Sequence, residues 1–445
     1  FAFGQNMALE ANTINAIKAK ISPNIDGIVI DDPAWKNIDF ATGFIQQSPD
    51  EGKPATEKTE VKIMFSDENL YVAAICYHND PEKIIISDAR RDSPLDDMDS
   101  FIFILDTFRD YQNGYAFGTN AAGIEYDAQN TKGGEGGSTS RRFSMGTGGG
   151  YNINWDAAWN VKSFIGDYGW SAEFEIPLKT LRYNSKKDQT WGINFQRVIS
   201  SNQEKAHWSQ ITRQFTVNRL VSAGQLVGIE IPSSRSYKII PYVLGQANAI
   251  SDSSDRNTND SDLGLDAKIN IGSSLTLDMT YNTDFAQAEA DEQQINLDRF
   301  SLYFPEKRAF FLENAGLFSI GENTRRGSEL SMFFSRRIGI GDDGQQIPIR
   351  AGGRLTGTFS NMRIGLLSMS TKSEEFSIFR VKKEMPNRTF FGAMATNMLN
   401  LNSDGYSNQV YALDGQLGIG ELGQIDGFIA TSSTCLLYTS DAADE

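Results

Sequence analysis

Carboxylates are the residues of this 445-residue chain with the most obvious chemical potential. Five of them, Asp284, Glu289, Asp291, Glu292 and Asp298, fall between positions 284 and 298 in the stretch NTDFAQAEADEQQINLDRFSLYFPEKRAFFLEN. A glycoside hydrolase needs two carboxylates held about 5 to 10 Å apart across a sugar cleft. The irregular spacing here defines no such pair. The stretch reads instead as a polar structural segment between strands, with Glu306, Lys307 and Arg308 available to pair with its acids. A second cluster, DARRDSPLDDMDSF, carries Arg90, Arg91, Asp92, Asp96, Asp97 and Asp99. Its plain reading is a solvated loop with local ion pairs. The sharper alternatives are a polar ligand wall around Arg91 and Asp97, or a Ca²⁺ site built from the oxygens of Asp96, Asp97 and Asp99. It is not an EF-hand loop, because the spacing and the central glycine are missing. The chain has two histidines, His78 and His207, which argues against a zinc site or a histidine-based triad. His78, in CYHND, reads as a satisfied turn residue. Cys76 and Cys435 are too few and too far apart for a disulfide framework.

The elements that would position these groups are strands. Glycine is abundant at 40 and proline scarce at 12, which suits an all-β chain with many tight turns. The net charge of −16 argues against a nucleic-acid partner. No apolar run approaches the roughly 18 residues of a membrane-spanning helix. Barrel strands need only about 10 residues of alternating polarity, so a membrane role stays open. The opening FAFGQNMALE reads as the remnant of a signal segment, residues 1–19, and implies export; an arbitrary fragment boundary is the alternative.

The chain has two halves of different character. All six tryptophans lie at or before Trp208, and the boundary is placed in GIEIPSSRSYKIIPYV, at Pro232. The first half reads as a β-sandwich. VKIMFSDENLYVAAICYH is two strands around a turn, and SFIFILDTF is a near-continuous apolar strand from the centre of a sandwich. GWSAEFEIPLKTL sets Trp170, Ala172, Phe174 and Ile176 against Ser171, Glu173 and Glu175. TKGGEGGSTSRRFSMGTGGG is a long loop. The second half alternates throughout: Leu263, Leu265, Leu275, Leu277 and Met279 fall on one face, Asp266, Lys268 and Asp278 on the other. An apolar face turned to lipid and a polar face turned to a lumen is how a transmembrane barrel is written. About ten such strands are expected over residues 237–433, in a sheet that does not close. The tail CLLYTSDAADE breaks the pattern, and its back-translation matches a sequencing adapter; residues 434–445 are expected to lie outside the fold.

Over residues 20–231, IDGIVIDDPAW, DENLYVAAICYHNDPEKI, DSFIFILDTFRDYQNGYAFGTNAAGIEYD, NWDAAWNVKSFIGDYGWSAEFEIPLKTLRY and WGINFQRVI resemble the family 9 carbohydrate-binding modules, jelly-roll-like β-sandwiches. NTDFAQAEADEQQINLDRFSLYFPEKRAFFLENAGLF with FFSRRIG resembles a family of outer-membrane proteins in which such a module precedes a β-barrel. The resemblance implies a terminal sugar clamped between two tryptophans. Trp155, Trp159, Trp170 and Trp208 are the candidates, with Trp155, after the glycine-rich loop, expected to be an exposed ring; Trp35 and Trp191 read as structural. The whole is then an all-β, exported envelope protein of a Gram-negative bacterium: a carbohydrate-binding sandwich (20–231) and an incomplete antiparallel outer-membrane β-barrel (232–433). Its expected partners are a polysaccharide or oligosaccharide and outer-membrane lipid, without catalysis of its own. Two alternatives remain, an O-glycosyl hydrolase of the xylan type and a structural or secretion-related barrel with no sugar ligand.

Overall fold

The computed structural model describes residues 12–130, 151–153, 155–183, 186–231, 237–248, 258–271, 274–283, 306, 308–312, 314–320, 332–339, 347–359, 362–385, 389–401, 406–419 and 423–435. The chain forms two compact units, the first with described residues up to Ile231 and the second with described residues from Tyr237. The protein is all-β. No helix among the described residues is long and apolar enough to cross a membrane.

The first unit is a sandwich of two sheets. One sheet runs in the order β1 (Thr13–Asn15), β15 (Gly224–Glu230), β13 (Asp188–Ile199), β7 (Ser100–Asp106), β8 (Gly114–Asn120), β9 (Tyr126–Asn130) and β10 (Tyr151–Asn152). The far end of β13 also pairs with β14 (Glu204–His207), which pairs with β4 (Ile45–Ser48). The other runs β11 (Asn160–Gly166), β12 (Gly169–Pro177), β6 (Asn69–Tyr77), β5 (Thr59–Phe65) and β2 (Ile17–Lys18), with β3 (Phe40–Ala41) also on β5.

Both faces of these sheets are covered, which explains the continuous apolar runs. In β7, Phe101, Phe103 and Leu105 fill the space between the sheets. Ile102 and Ile104 point the other way, into a second cluster with Leu95, Met98, Tyr126 and Leu220. In β12, Trp170, Ala172, Phe174 and Ile176 enter the central core as their alternation requires. Ser171 and Glu173 lie on the opposite face and are buried too. A segment before β3 covers them. Glu173 accepts the Trp35 indole N–H at 2.7 Å and the backbone N–H groups of Gly27 and Asp26 at 2.8 and 3.0 Å. Gly27 has a φ of +89°, and a Cβ there would sit 2.5 Å from the Ser163 carbonyl carbon, so only glycine lets the segment approach. Arg197 ties the two sheets together. From β13 it donates to the carbonyls of Lys58 (2.8 Å) and Tyr77 (2.6 Å) and to the Thr59 hydroxyl (3.1 Å).

The second unit is one sheet of nine strands in sequence order, each antiparallel to the next. They are β16 (Tyr237–Asn248), β17 (Thr258–Ile271), β18 (Leu275–Thr283), β19 (Ile349–Phe359), β20 (Met362–Thr371), β21 (Glu374–Met385), β22 (Thr389–Asn400), β23 (Ser407–Ile419) and β24 (Gly423–Cys435). Among the described residues β16 and β24 each pair on one side, so the sheet is not closed, as expected, and nine strands are described where about ten were expected. β24 reaches further than its composition suggested: Cys435 pairs with Ser407. A ladder is built from backbone groups, so Thr434 and Cys435 join the strand whatever their side chains. Residues 436–445 lie outside the described residues.

Candidate functional site

Arg91 is the centre of the most concentrated polar group on the first unit. Its Nη1 lies 2.9 Å from Glu125; its Nη2 lies 2.9 Å from Asp127 and 2.5 Å from Asp156; Asp92 is 3.7 Å from Nε. Each acid comes from a different local structure. Asp127 is on β9, its side chain fully enclosed, and its second oxygen accepts the Ala157 N–H at 2.8 Å. Asp156 sits on the turn that carries Trp155 and is largely exposed. Burial pushes the Asp127 carboxyl up to about 7, although the Ala157 N–H and the Arg91 charge both oppose that shift. The Trp159 indole N–H helps hold its charge, short of hydrogen-bond geometry. The result is a planar guanidinium, 41% exposed, fixed at its rim by carboxylates. Such a group offers donors and acceptors in one plane, the arrangement that vicinal hydroxyls bind in bidentate fashion.

Of the six residues expected to bind a ligand, the structure places Arg91 in this group, with Trp155 and Trp159 beneath it in the adjoining core. Asp97 is not part of it. That residue lies exposed on a neighbouring turn, where its carbonyl accepts the Ser200 hydroxyl at 3.1 Å. Trp155 is not an exposed ring. It is 7% exposed, with its ring centroid 5.1 Å from Tyr115 and 6.1 Å from Phe117. Trp159 stacks on Phe174 at 5.9 Å and 4° between planes. Trp170 is fully buried on β12, and Trp208 packs on Phe195 at 5.3 Å. All four belong to the central core with Trp191, and no two of them face each other across an open slot. The physical reason is size: an indole adjoining a sandwich core hides more apolar area inside than on the rim. Trp35 is buried as well, on the outer face of the second sheet.

The acids considered for Ca²⁺ do not converge. Asp96 pairs with Lys205 at 2.6 Å, Asp97 is exposed, and Asp99 is buried and accepts the Ile85 N–H at 2.9 Å. Among the described residues no group of three or more His, Cys, Asp or Glu side chains is placed to hold a metal. His78 accepts the Asp80 N–H on Nδ1 at 3.0 Å, so its proton sits on Nε2, which faces the Ser201 hydroxyl at 3.4 Å. That tautomer cannot take a proton from the serine. His207 is fully buried, and burial lowers its pKa to about 3.

The residues that sequence reasoning missed are Glu125, Asp127 and Asp156. The available signal was Asp127, an acid inside a strand (YDAQN) whose every residue is buried.

In the second unit the two faces of the sheet differ completely. One presents Leu263, Leu265, Met279, Tyr281, Phe379, Phe391, Leu413 and Ile429, all exposed. The other buries Thr276, Asp278, Thr280, Arg354, Arg380 and Thr356. The expected division of Leu263, Leu265, Leu275, Leu277 and Met279 from Asp266, Lys268 and Asp278 is present in the register, where Asp278 faces Lys268 on one neighbour and Arg354 on the other. Parts of the 284–339 connection cover the polar face. Arg354 binds Asp278 at 2.7 Å and lies over the Phe310 ring at 5.1 Å; Asn314 donates to Thr356 at 3.2 Å; Arg380 donates to the Leu317 carbonyl at 3.1 Å. Glu306 and Arg308 have partners of their own among the described residues. They pair with each other at 2.7 Å, Glu306 also accepting the Ser335 hydroxyl, while Arg308 donates to the carbonyls of Ser335 and Ile338. Asp284, Glu289, Asp291, Glu292, Asp298 and Lys307 lie outside the described residues, as does the glycine-rich loop 131–150.

Residues 235–351 match the sequence family described as a domain of unknown function, DUF5916. The match begins beside β16 and ends in the first residues of β19, so it spans the covering connection. No curated protein matches. Among solved structures, a family 9 carbohydrate-binding module from Caldicellulosiruptor kristjanssonii in complex with glucose is similar at 17% identity, covering 49% of this chain and 95% of that one, with a TM-score of 0.34. The same organism's module in complex with cellotriose gives 16% identity, 50% and 94% coverage, and a TM-score of 0.32. A putative carbohydrate-binding protein from Bacteroides uniformis gives 12% identity, 49% and 99% coverage, and a TM-score of 0.37.

Proposed function

We propose that this chain is an outer-membrane protein whose second unit is part of a barrel wall and whose first unit recognises a saccharide. The membrane part is carried by one observation: the nine-strand sheet turns large apolar side chains outward, while its buried polar face is covered by the chain's own 306–339 segments. A soluble sandwich would pack its apolar face on a second sheet. The test is depth-dependent. Met279→Arg, near the middle of the outward face, should weaken folding into lipid vesicles by about 2–4 kcal/mol, and Ser433→Arg by about 1 kcal/mol or less. Equal tolerance of both, with the protein recovered in the soluble fraction, would remove the membrane reading.

Saccharide recognition rests on the resemblance of residues 20–231 to family 9 modules and on the rigid plane around Arg91. The buried tryptophans exclude a stacking clamp from the described site, so affinity should depend on polar contacts. A glycan array on the full chain should show a weak binder. Asp156→Asn and Arg91→Gln should each reduce that binding while the near-ultraviolet dichroism stays unchanged. Absence of any glycan ligand would favour the structural barrel instead. A hydrolase finds no support in the geometry. Asp127 is committed to Arg91 and Ala157, Glu173 to the segment before β3, and Glu204 to the Thr56 N–H and hydroxyl at 3.0 and 2.6 Å.

A further inference from the structure

The outward apolar face of the second unit is a band, and the hairpins that close one end of it climb across the strands at a constant rate. The register provides the ruler. Ile271, Leu275, Gly357, Ile364, Val381, Ala393, Leu413 and Ile429 form one continuous row of paired outward residues from β17 to β24. At one end of the sheet the hairpins close on Ile271↔Leu275, Phe359↔Met362, Met385↔Thr389 and Ile419↔Gly423. Against the ruler these closing pairs recede in turn, by two residues more at each successive hairpin. At the other end the first polar outward residue follows a more level line. It is Ser368 on β20, Ser377 on β21, Asn397 on β22, Gln409 on β23 and Thr431 on β24. That border lies four residues past the ruler from β20 to β23 and two past it on β24.

A shift of two residues for every two strands is about 6.6 Å along the strands for about 9.6 Å across them, which corresponds to a slope of about 35°. That lies within the strand tilt of outer-membrane barrels, about 35–45°. The band spans about eight residues of strand, and at this tilt it stands about 22 Å tall, close to the ~25 Å apolar belt of such barrels. Lys383 is the charged residue inside the band. It sits two residues from the closing pair Met385↔Thr389, where a lysine stem can carry its ammonium to the border.

The two ends differ in their connections. The receding hairpins are joined by 272–274, 360–361, 386–388 and 420–422. The opposite end carries 249–257, 284–348, 372–373 and 401–406. Outer-membrane barrels keep short turns on the periplasmic side and long connections outside. β16 enters the sheet at Tyr237, and it runs from the short-turn end toward the long-connection end.

We propose that this sheet crosses an outer membrane with strands tilted by about 35° and its short turns in the periplasm, so that the chain enters at Tyr237 from the periplasmic side and the first unit is a periplasmic domain. The proposal rests on the membrane reading above and adds its orientation. The consequence for the ligand is that the saccharide met by Arg91 is a periplasmic or imported one.

The test uses the full chain in the outer membrane of a Gram-negative host, with Cys435→Ser removing the exposed thiol; Cys76 is buried. Single cysteines are placed by Lys372→Cys at the long-connection end, Ser274→Cys at the short-turn end and Lys36→Cys in the first unit. A polymer-linked maleimide too large to pass the outer membrane is applied before and after permeabilisation. Lys372→Cys should react in intact cells, and the other two only after permeabilisation. The opposite pattern, with the protein still in the membrane fraction, overturns the orientation and leaves the membrane reading standing. Reaction of all three in a protein found in the soluble fraction overturns both. Polarised infrared spectra of oriented bilayers should give a strand tilt of about 35°; a tilt below about 20° would overturn the geometry derived from the band.

Discussion

Asp127 and His207 are buried groups of the first unit whose titrations oppose one another. His207 has its folded pKa lowered to about 3 from an ordinary value of 6.5. Below about pH 6 the unfolded chain gains a proton on it that the folded chain refuses, so its contribution to stability falls with pH by about 1.4 kcal/mol per unit down to about pH 3. Asp127 has its folded pKa raised to about 7 from 3.8. Between about pH 6.5 and 4 the folded chain holds that proton and the unfolded chain does not, so this contribution rises at the same rate as pH falls. The pair nearly cancels across the overlap. Asp127→Asn should therefore expose the His207 slope, and urea unfolding should show stability dropping by about 1.4 kcal/mol per pH unit between pH 6 and 4. His207→Gln should show the reverse slope. Identical pH profiles for wild type and both variants would refute the argument. Sequence alone offered a polar wall around Arg91 as one alternative to a solvated loop, and gave no sign of Glu125, Asp127 or Asp156, because Asp127 becomes its neighbour only through β9. It also left the tryptophans open, since alternation assigns a side chain to a face and does not say whether that face is covered.

Elements on the inward face of the second unit approach one another through glycine. Arg380 on β21 and Asp414 on β23 form a two-bond ion pair, at 2.6 and 2.7 Å, across the intervening β22. Gly392 on β22 makes room for it: a Cβ there would lie 2.5 Å from both Arg380 Nη1 and Asp414 Oδ1. Gly392→Val should break the pair and lower stability by about 3–5 kcal/mol, seen as a lower midpoint for unfolding from lipid vesicles. Gly427→Ala on β24, where a Cβ meets nothing within 4 Å, is the control and should leave the midpoint within about 0.5 kcal/mol. Gly365 does the same for the covering turn Ala315–Phe318, whose Leu317 and Phe318 would lie 2.9 Å from its Cβ. Gly365→Leu should expose that turn to protease while the strand content by infrared stays constant. The strands themselves were legible in the alternation, because each has one apolar and one polar face. The pairing of Glu306 with Arg308 was not, since nothing in PEKR says that Ser335 and Ile338 arrive to complete it.

The molecule as a whole keeps its indoles in one unit and its exposed apolar band in the other. All six tryptophans belong to the first unit, and the outward band contains none. Lipids brominated in their acyl chains should leave the intrinsic tryptophan fluorescence of the reconstituted protein unchanged and should quench a ring introduced by Leu277→Trp. Quenching of the native signal would place the first unit against the bilayer. The two-unit plan was legible from the change in residue usage near Pro232; the direction in which the sheet is threaded was not, because it depends on register between strands far apart in sequence. The constant step of that register has a further consequence, for insertions and deletions. The wall is read in pairs of residues. Losing two residues from one strand slides it by a single rung and keeps its apolar side outward. Losing one turns the rest of that strand inside out, so tolerated length changes in the strands of natural variants should be even numbers, and odd ones should be confined to the connections.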